Sequence, residues 1–214
     1  MREISISSYC NTSAAKFWSL RQDRGYDEWF ASLDGQISEL ISSDSTLQED
    51  EGRSLKLVQR TTKLRFKENP VPPFVRKKFG LNEFAFLIKG SFYPDAFDEQ
   101  HPYRYSTEFP ILTERIAVDG TQWCEEISDN RCRLHVRVTI SVQLQGLGPQ
   151  IEKQIEKGVR SAYAEIPERA CDYLVHQGRD SARVDAAASP PTSLLADVAQ
   201  ARPRLLPSEP RATA

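Results

Sequence analysis

Residues 133–144, RLHVRVTISVQL, constrain the fold more than any other stretch. Leu134, Val136, Val138, Ile140, Val142 and Leu144 share one parity, and Arg133, His135, Arg137, Thr139, Ser141 and Gln143 take the other. Strict alternation predicts a strand with one buried and one wet face. At about 3.3 Å per residue it spans roughly 40 Å, so the sheet that holds it must curve. A glycine turn follows, and then Ile151, Ile155, Val159, Ala162, Ile166 and Ala170 recur at helical spacing, which predicts a long amphipathic helix. That helix carries Gly158 and Ala162 in its stripe and Pro167 near its middle, all poor choices for helix stability or bulk. We expect them on the buried side, leaving room between helix and sheet.

The remaining chain supplies the other layers. Residues 2–9 alternate as a first strand, and Asn11, Thr12 and Ser13 offer a cap for a short helix containing AAKFW. Tyr26, Trp29, Phe30 and Leu33 make a second short helix. Strands are expected near 36–43, 53–67, 84–93, 103–118, 121–128 and 131–145, as an antiparallel meander. The expectation is therefore an α+β domain over residues 1–176: about seven strands curved round a long C-terminal helix, with two short helices after the first strand. Residues 178–214 have nine alanines, five prolines and no aromatic residue, so residues 177–214 are expected to form a disordered tail.

Composition removes several function classes. Acidic and basic residues are interspersed at a net charge of −2, giving no broad basic field for nucleic acid. No apolar run approaches the roughly 20 residues of a spanning helix. Four cysteines without a CxxC pair, and a start that reads as a strand, point to a reducing, cytoplasmic setting. Cys124, Cys132 and His135 match no tight ligand motif, so neither a metal nor another cofactor is expected. No G-x-S-x-G elbow occurs, and adjacent Glu125 and Glu126 face opposite sides of a strand, so no catalytic set is assigned.

The AAKFW and GYDEWF helical pair, PPFVRKKFG before an aromatic strand, and VTISVQLQGLGPQIEKQIEKGVRSAY resemble the START-like helix-grip (SRPBCC) superfamily. The last motif is similar to the sterol-binding VASt branch and to a bacterial START-like group of unknown function. The resemblance implies a cavity for a hydrophobic small molecule such as a lipid, sterol or polyketide. On that reading Phe84, Phe86, Ile88, Phe92, Val136, Val138, Ile140, Val142, Ile155, Val159 and Tyr163 are the expected ligand contacts, with Tyr163 as a polar handle. Arg60 is an expected inward polar contact, pairing with a ligand carboxylate or with Glu108. Phe74, Arg76, Lys77, Lys78 and Phe79 combine basic and apolar character suited to transient contact with an anionic membrane. Three functions follow: a carrier or sensor of an apolar molecule, a cyclase-like enzyme using the same cavity, or an adapter with a solid core.

Overall fold

The computed structural model describes residues 1–50, 52–68, 77, 85–109, 115–146 and 148–188, with side chains described to residue 177. Met1–Val175 forms one compact unit. Its elements are β1 (Arg2–Cys10), α1 (Ala14–Ser19), a 3-10 turn at Leu20–Gln22, α2 (Arg24–Leu33), β2 (Gln36–Asp50), β3 (Arg53–Phe66), β4 (Ala85–Phe92), β5 (Tyr103–Glu108), β6 (Ile116–Ser128), β7 (Arg131–Val142) and the start of α3 (Gly148–Ala188). The strands form one antiparallel sheet in the order β1-β7-β6-β5-β4-β3-β2. This is the helix-grip architecture: a meander from β2 to β7, with β1 added beside the last strand.

The alternation on β7 is realised in full. Cys132, Leu134, Val136, Val138, Ile140 and Val142 are all buried, while their neighbours are half-buried or exposed. β1 pairs with β7 from Arg2↔Ile140 to Cys10↔Cys132. The helical pair starts from two side-chain caps: Ser13 Oγ accepts from Lys16 N at 3.4 Å and Asp23 Oδ1 from Tyr26 N at 3.2 Å. Glu126 of β6 also accepts from Ala14 N at 2.7 Å, fixing α1 against the sheet.

Three strand boundaries differ from expectation, the first being that the strand expected over 103–118 ends at Glu108 while β6 begins at Ile116. The sequence VDGTQ suggests a turn near residue 120, yet β6 runs unbroken through Gly120. The ring of Tyr105 covers Gly120, where a Cβ would overlap it, and the ring of Tyr103 covers Gly90 in the same way. These glycines make room for tyrosines rather than turns. β2 is also longer than expected and continues to Asp50, pairing with β3 along its length with a register shift at Leu40/Ser42.

The grip helix shows the largest difference. Gly158 and Ala162 are exposed, with open space around Gly158. The buried face instead presents Glu152, Tyr163, Pro167 and Ala170, flanked by half-buried Ile151, Ile155, Val159 and Ile166. The thin residues on the inside are thus Pro167 and Ala170. Proline lacks the N–H that would bind the carbonyl four residues back, and Ser8 Oγ of β1 donates to that Tyr163 carbonyl at 3.5 Å. The two glutamates of the I-E-x-x-I-E motif lock the joint: Glu152 accepts from Val142 N at 3.1 Å, and Glu156 pairs with Arg2 at 2.8 Å. α3 continues past the expected domain end at residue 176 to Ala188, through helix-forming alanines and arginine and short of Pro190. Residues 189–214 lie outside the described residues.

Candidate ligand cavity

β3, β4 and β5 present their inward parity to the helical pair without filling the space between. Val58, Arg60, Thr62, Leu64 and Phe66 of β3 share the inward side, and three of these, Arg60, Thr62 and Leu64, line a cavity of about 260 Å³. Ile88 and Phe92 of β4 and Tyr103 of β5 continue its wall. The helical pair contributes Phe17, Leu20, Tyr26, Phe30 and Ala31, and α3 contributes Ile166. Larger hollows of about 840 and 940 Å³ lie on the outer surface, bordered by such residues as Glu3, Lys89 and Asp119, or Asp50, Asp98 and Glu125. Charged and polar side chains border both hollows, whereas the smaller cavity is the more apolar concavity expected of a small-molecule site.

Among the polar side chains that line this cavity, Arg21, Asp27, Arg60 and Gln122 are linked by hydrogen bonds. Arg60 donates to Asp27 and to the Arg21 carbonyl. Arg21 donates to Gln122 Oε1, and Gln122 Nε2 donates to the Tyr163 hydroxyl, which bonds the Tyr105 hydroxyl at 2.9 Å. Burial raises the Asp27 pKa even against the neighbouring Arg60. Burial also pushes Tyr105 up to about 12 and Tyr163 well above the usual phenol range, so both remain neutral donors and acceptors at physiological pH.

The predicted ligand residues divide three ways. Ile88, Phe92 and Arg60 line the cavity; Arg60 finds its acid in Asp27, while Glu108 pairs instead with Lys89 at 2.5 Å. Val136, Val138, Ile140 and Val142 do not line it: they are closed into a solid core with Ile4, Trp18 and Cys10. Ile155 and Val159 pack against that core, Tyr163 sits behind Gln122, and the ring of Phe86 lies tilted against those of Phe66 and Phe109, with centroids 6.3 and 6.0 Å away. Phe84, Phe74, Arg76, Lys78 and Phe79 lie outside the described residues, and Lys77 is exposed. Arg21, Asp27 and Gln122 were not anticipated. Each left a trace in the sequence: Arg21 follows Phe17 by four positions on an apolar stripe, Asp27 precedes Ala31 by four, and Gln122 has the parity of Val118 and Cys124.

The cysteines serve as core. Cys10, Cys124 and Cys132 are buried together, and contact with Cys132 plus burial raises the thiols of Cys10 and Cys124 far above the usual range. Among the described residues no group of three or more His, Cys, Asp and Glu is placed to hold a metal ion, and no helix is long and apolar enough to cross a membrane.

The curved sheet and the grip helix define a helix-grip domain. The chain belongs to the family described as "Protein of unknown function (DUF2505)", whose model matches residues 7–174. No curated protein gives a significant match. Among solved structures the chain is similar to the Zhui aromatase/cyclase from Streptomyces sp. R1128, at 13% identity over 88% of this chain and 99% of that one, with a TM-score of 0.47. It is also similar to norcoclaurine synthase from Thalictrum flavum (15% identity, 81% and 86% covered, TM-score 0.47) and to Ara h 8.0201 (17%, 80% and 98%, 0.47).

Proposed function

We propose that this protein binds a hydrophobic small molecule in the cavity between β3, β4, β5 and the helical pair, as a carrier or sensor. The observation that carries this reading is the mainly apolar concavity of about 260 Å³ between the sheet and the helical pair. That volume lies just below the usual range of about 300–1,000 Å³ for drug-sized pockets. It suits a fused-ring aromatic or a medium-length acyl chain better than a sterol. Binding would come chiefly from apolar burial at about 25 cal/mol per Å², with the polar groups setting orientation. Exchange at an anionic membrane through residues 74–79 belongs to the same reading, and co-sedimentation with phosphatidylserine vesicles tests it.

Native mass spectrometry of the purified protein, with solvent extraction of any adduct, tests the main proposal together with titration of the neutral fluorophore N-phenyl-1-naphthylamine. We expect saturable uptake that Ala31→Leu blocks. Absence of both an adduct and uptake overturns it.

One observation favours an enzyme instead: Asp27 is a carboxyl with a raised pKa inside an apolar cavity, the setting of a general base. A bound molecule recovered unchanged after incubation supports the carrier. Conversion that stops in Asp27→Asn supports the enzyme.

A further inference from the structure

The two arginines of the cavity are in opposite electrostatic situations. Arg60 has a carboxylate, Asp27, and a backbone carbonyl. Arg21 has neither. Its guanidinium lies over the rings of Trp18 and Tyr103, 4.6 and 4.2 Å from their centroids, and donates to the neutral amide oxygen of Gln122. Its Nε is buried without a hydrogen-bond partner, and no carboxylate among the described residues forms an ion pair with it.

Arg21, Arg60 and Asp27 are the charged residues that line the cavity among those described, so one positive charge there has no counter-charge. Ring faces and an amide soften the burial of a cation but do not neutralise it. Guanidinium donors left over in such a place match the oxygens of a carboxylate, which arginine binds through paired N–H groups. The surrounding wall of Phe17, Phe30, Ile88 and Phe92 matches an apolar body.

We propose that the molecule held in this cavity is a carboxylic acid with an aromatic or medium-chain apolar body, its carboxylate set against Arg21. This rests on the cavity being a binding site, and it moves the acid-recognising role from Arg60, the residue expected from sequence, to Arg21. Asp27 already occupies Arg60.

Calorimetric titration of the full chain with 2-naphthoate and with 2-naphthalenemethanol separates the two layers of the argument, since the pair shares its rings and differs in charge. We expect the acid to bind at least about tenfold more tightly, the scale of a charge-assisted hydrogen bond. Arg21→Met should abolish that preference while keeping alcohol binding, and Arg21→Lys should retain part of it. Equal binding of the two by the unmodified protein, or a preference that survives in Arg21→Met, overturns the assignment to Arg21 and leaves the cavity reading intact. Binding of neither compound overturns both. The comparison on the unmodified protein needs no variant, so it decides even if Arg21→Met folds poorly.

Discussion

On both the β1–β7–β6 side of the sheet and the β3–β4–β5 side one parity of side chains faces inward, yet one side is solid and the other hollow. Ile140, Leu134 and Val136 are at most 1% exposed, in one closed core with Trp18 and Ala14 of α1 and Tyr163 and Ala170 of α3. Ile88, Thr62 and Leu64 remain half-buried around a void, because the elements opposite them present Arg21, Asp27 and Ala31 as well as rings. Alternation therefore reports which way a side chain faces. What lies across from it decides whether it packs or lines a cavity.

This contrast breaks first at matched isoleucines. Ile140→Ala should cost about 2–5 kcal/mol, as for a large-to-small change in a closed core, whereas Ile88→Ala, beside space that already exists, should cost about 1 kcal/mol. Urea unfolding monitored by tryptophan fluorescence measures both, and similar losses would remove the distinction between the two sides. Paired alanines test it in the opposite sense. Ala14→Leu overfills the solid side and should cost about 1–3 kcal/mol. Ala31→Leu should leave the apo protein within about 0.5 kcal/mol of the original while uptake of N-phenyl-1-naphthylamine falls.

A smaller effect concerns the outside of the grip helix. Because Gly158 is exposed with nothing near it, Gly158→Ala should raise stability by about 1 kcal/mol through helix propensity and leave ligand uptake unchanged. Altered uptake would return this position to the inner face.

The smallest effect lies at the end of the β2–β3 ribbon. His101 donates from Nε2 to Asp50 at 2.5 Å and from Nδ1 to Asp98 at 2.9 Å, and a ring with carboxylates on both nitrogens is held as the cation. The hydrogen bond to Asp50 is the main cause of its raised pKa. Since the folded value exceeds the unfolded one, this stabilisation is complete below about 6.5 and disappears as pH rises through the folded pKa. Asp50 is substantially exposed, so the contribution should be at most about 1 kcal/mol. Melting curves of the original protein and His101→Gln should converge toward alkaline pH, and a constant gap would refute the pairing.

The fold was largely legible because β7 has no competing reading: any other register would expose six apolar side chains. α3 was legible as a helix but not in its rotation. Ile, Val and Ala occupy adjoining stripes, and polar Glu152 and Tyr163, whose partners are distant in sequence, decide which stripe faces inward. Gly120 was misread because a glycine that admits a tyrosine from the next strand looks the same in sequence as one that turns the chain. The cavity was the least legible part. Arg21, Asp27 and Gln122 come from a 3-10 turn, a helix and a strand, and only the curvature of the sheet brings them together.

β2 closes the hollow side of the sheet and, among the described residues, has one strand partner, β3. Its other edge offers unpaired backbone groups to any passing extended chain, the usual starting point of aggregation. Its outer half reads SSDSTLQED, and Asp44, Gln48 and Glu49 are exposed there beyond the register shift near Ile41. Hydrated charges and a broken register make a poor template for a second copy. The strand that bounds the cavity can thus remain open to water without seeding a continuous intermolecular sheet.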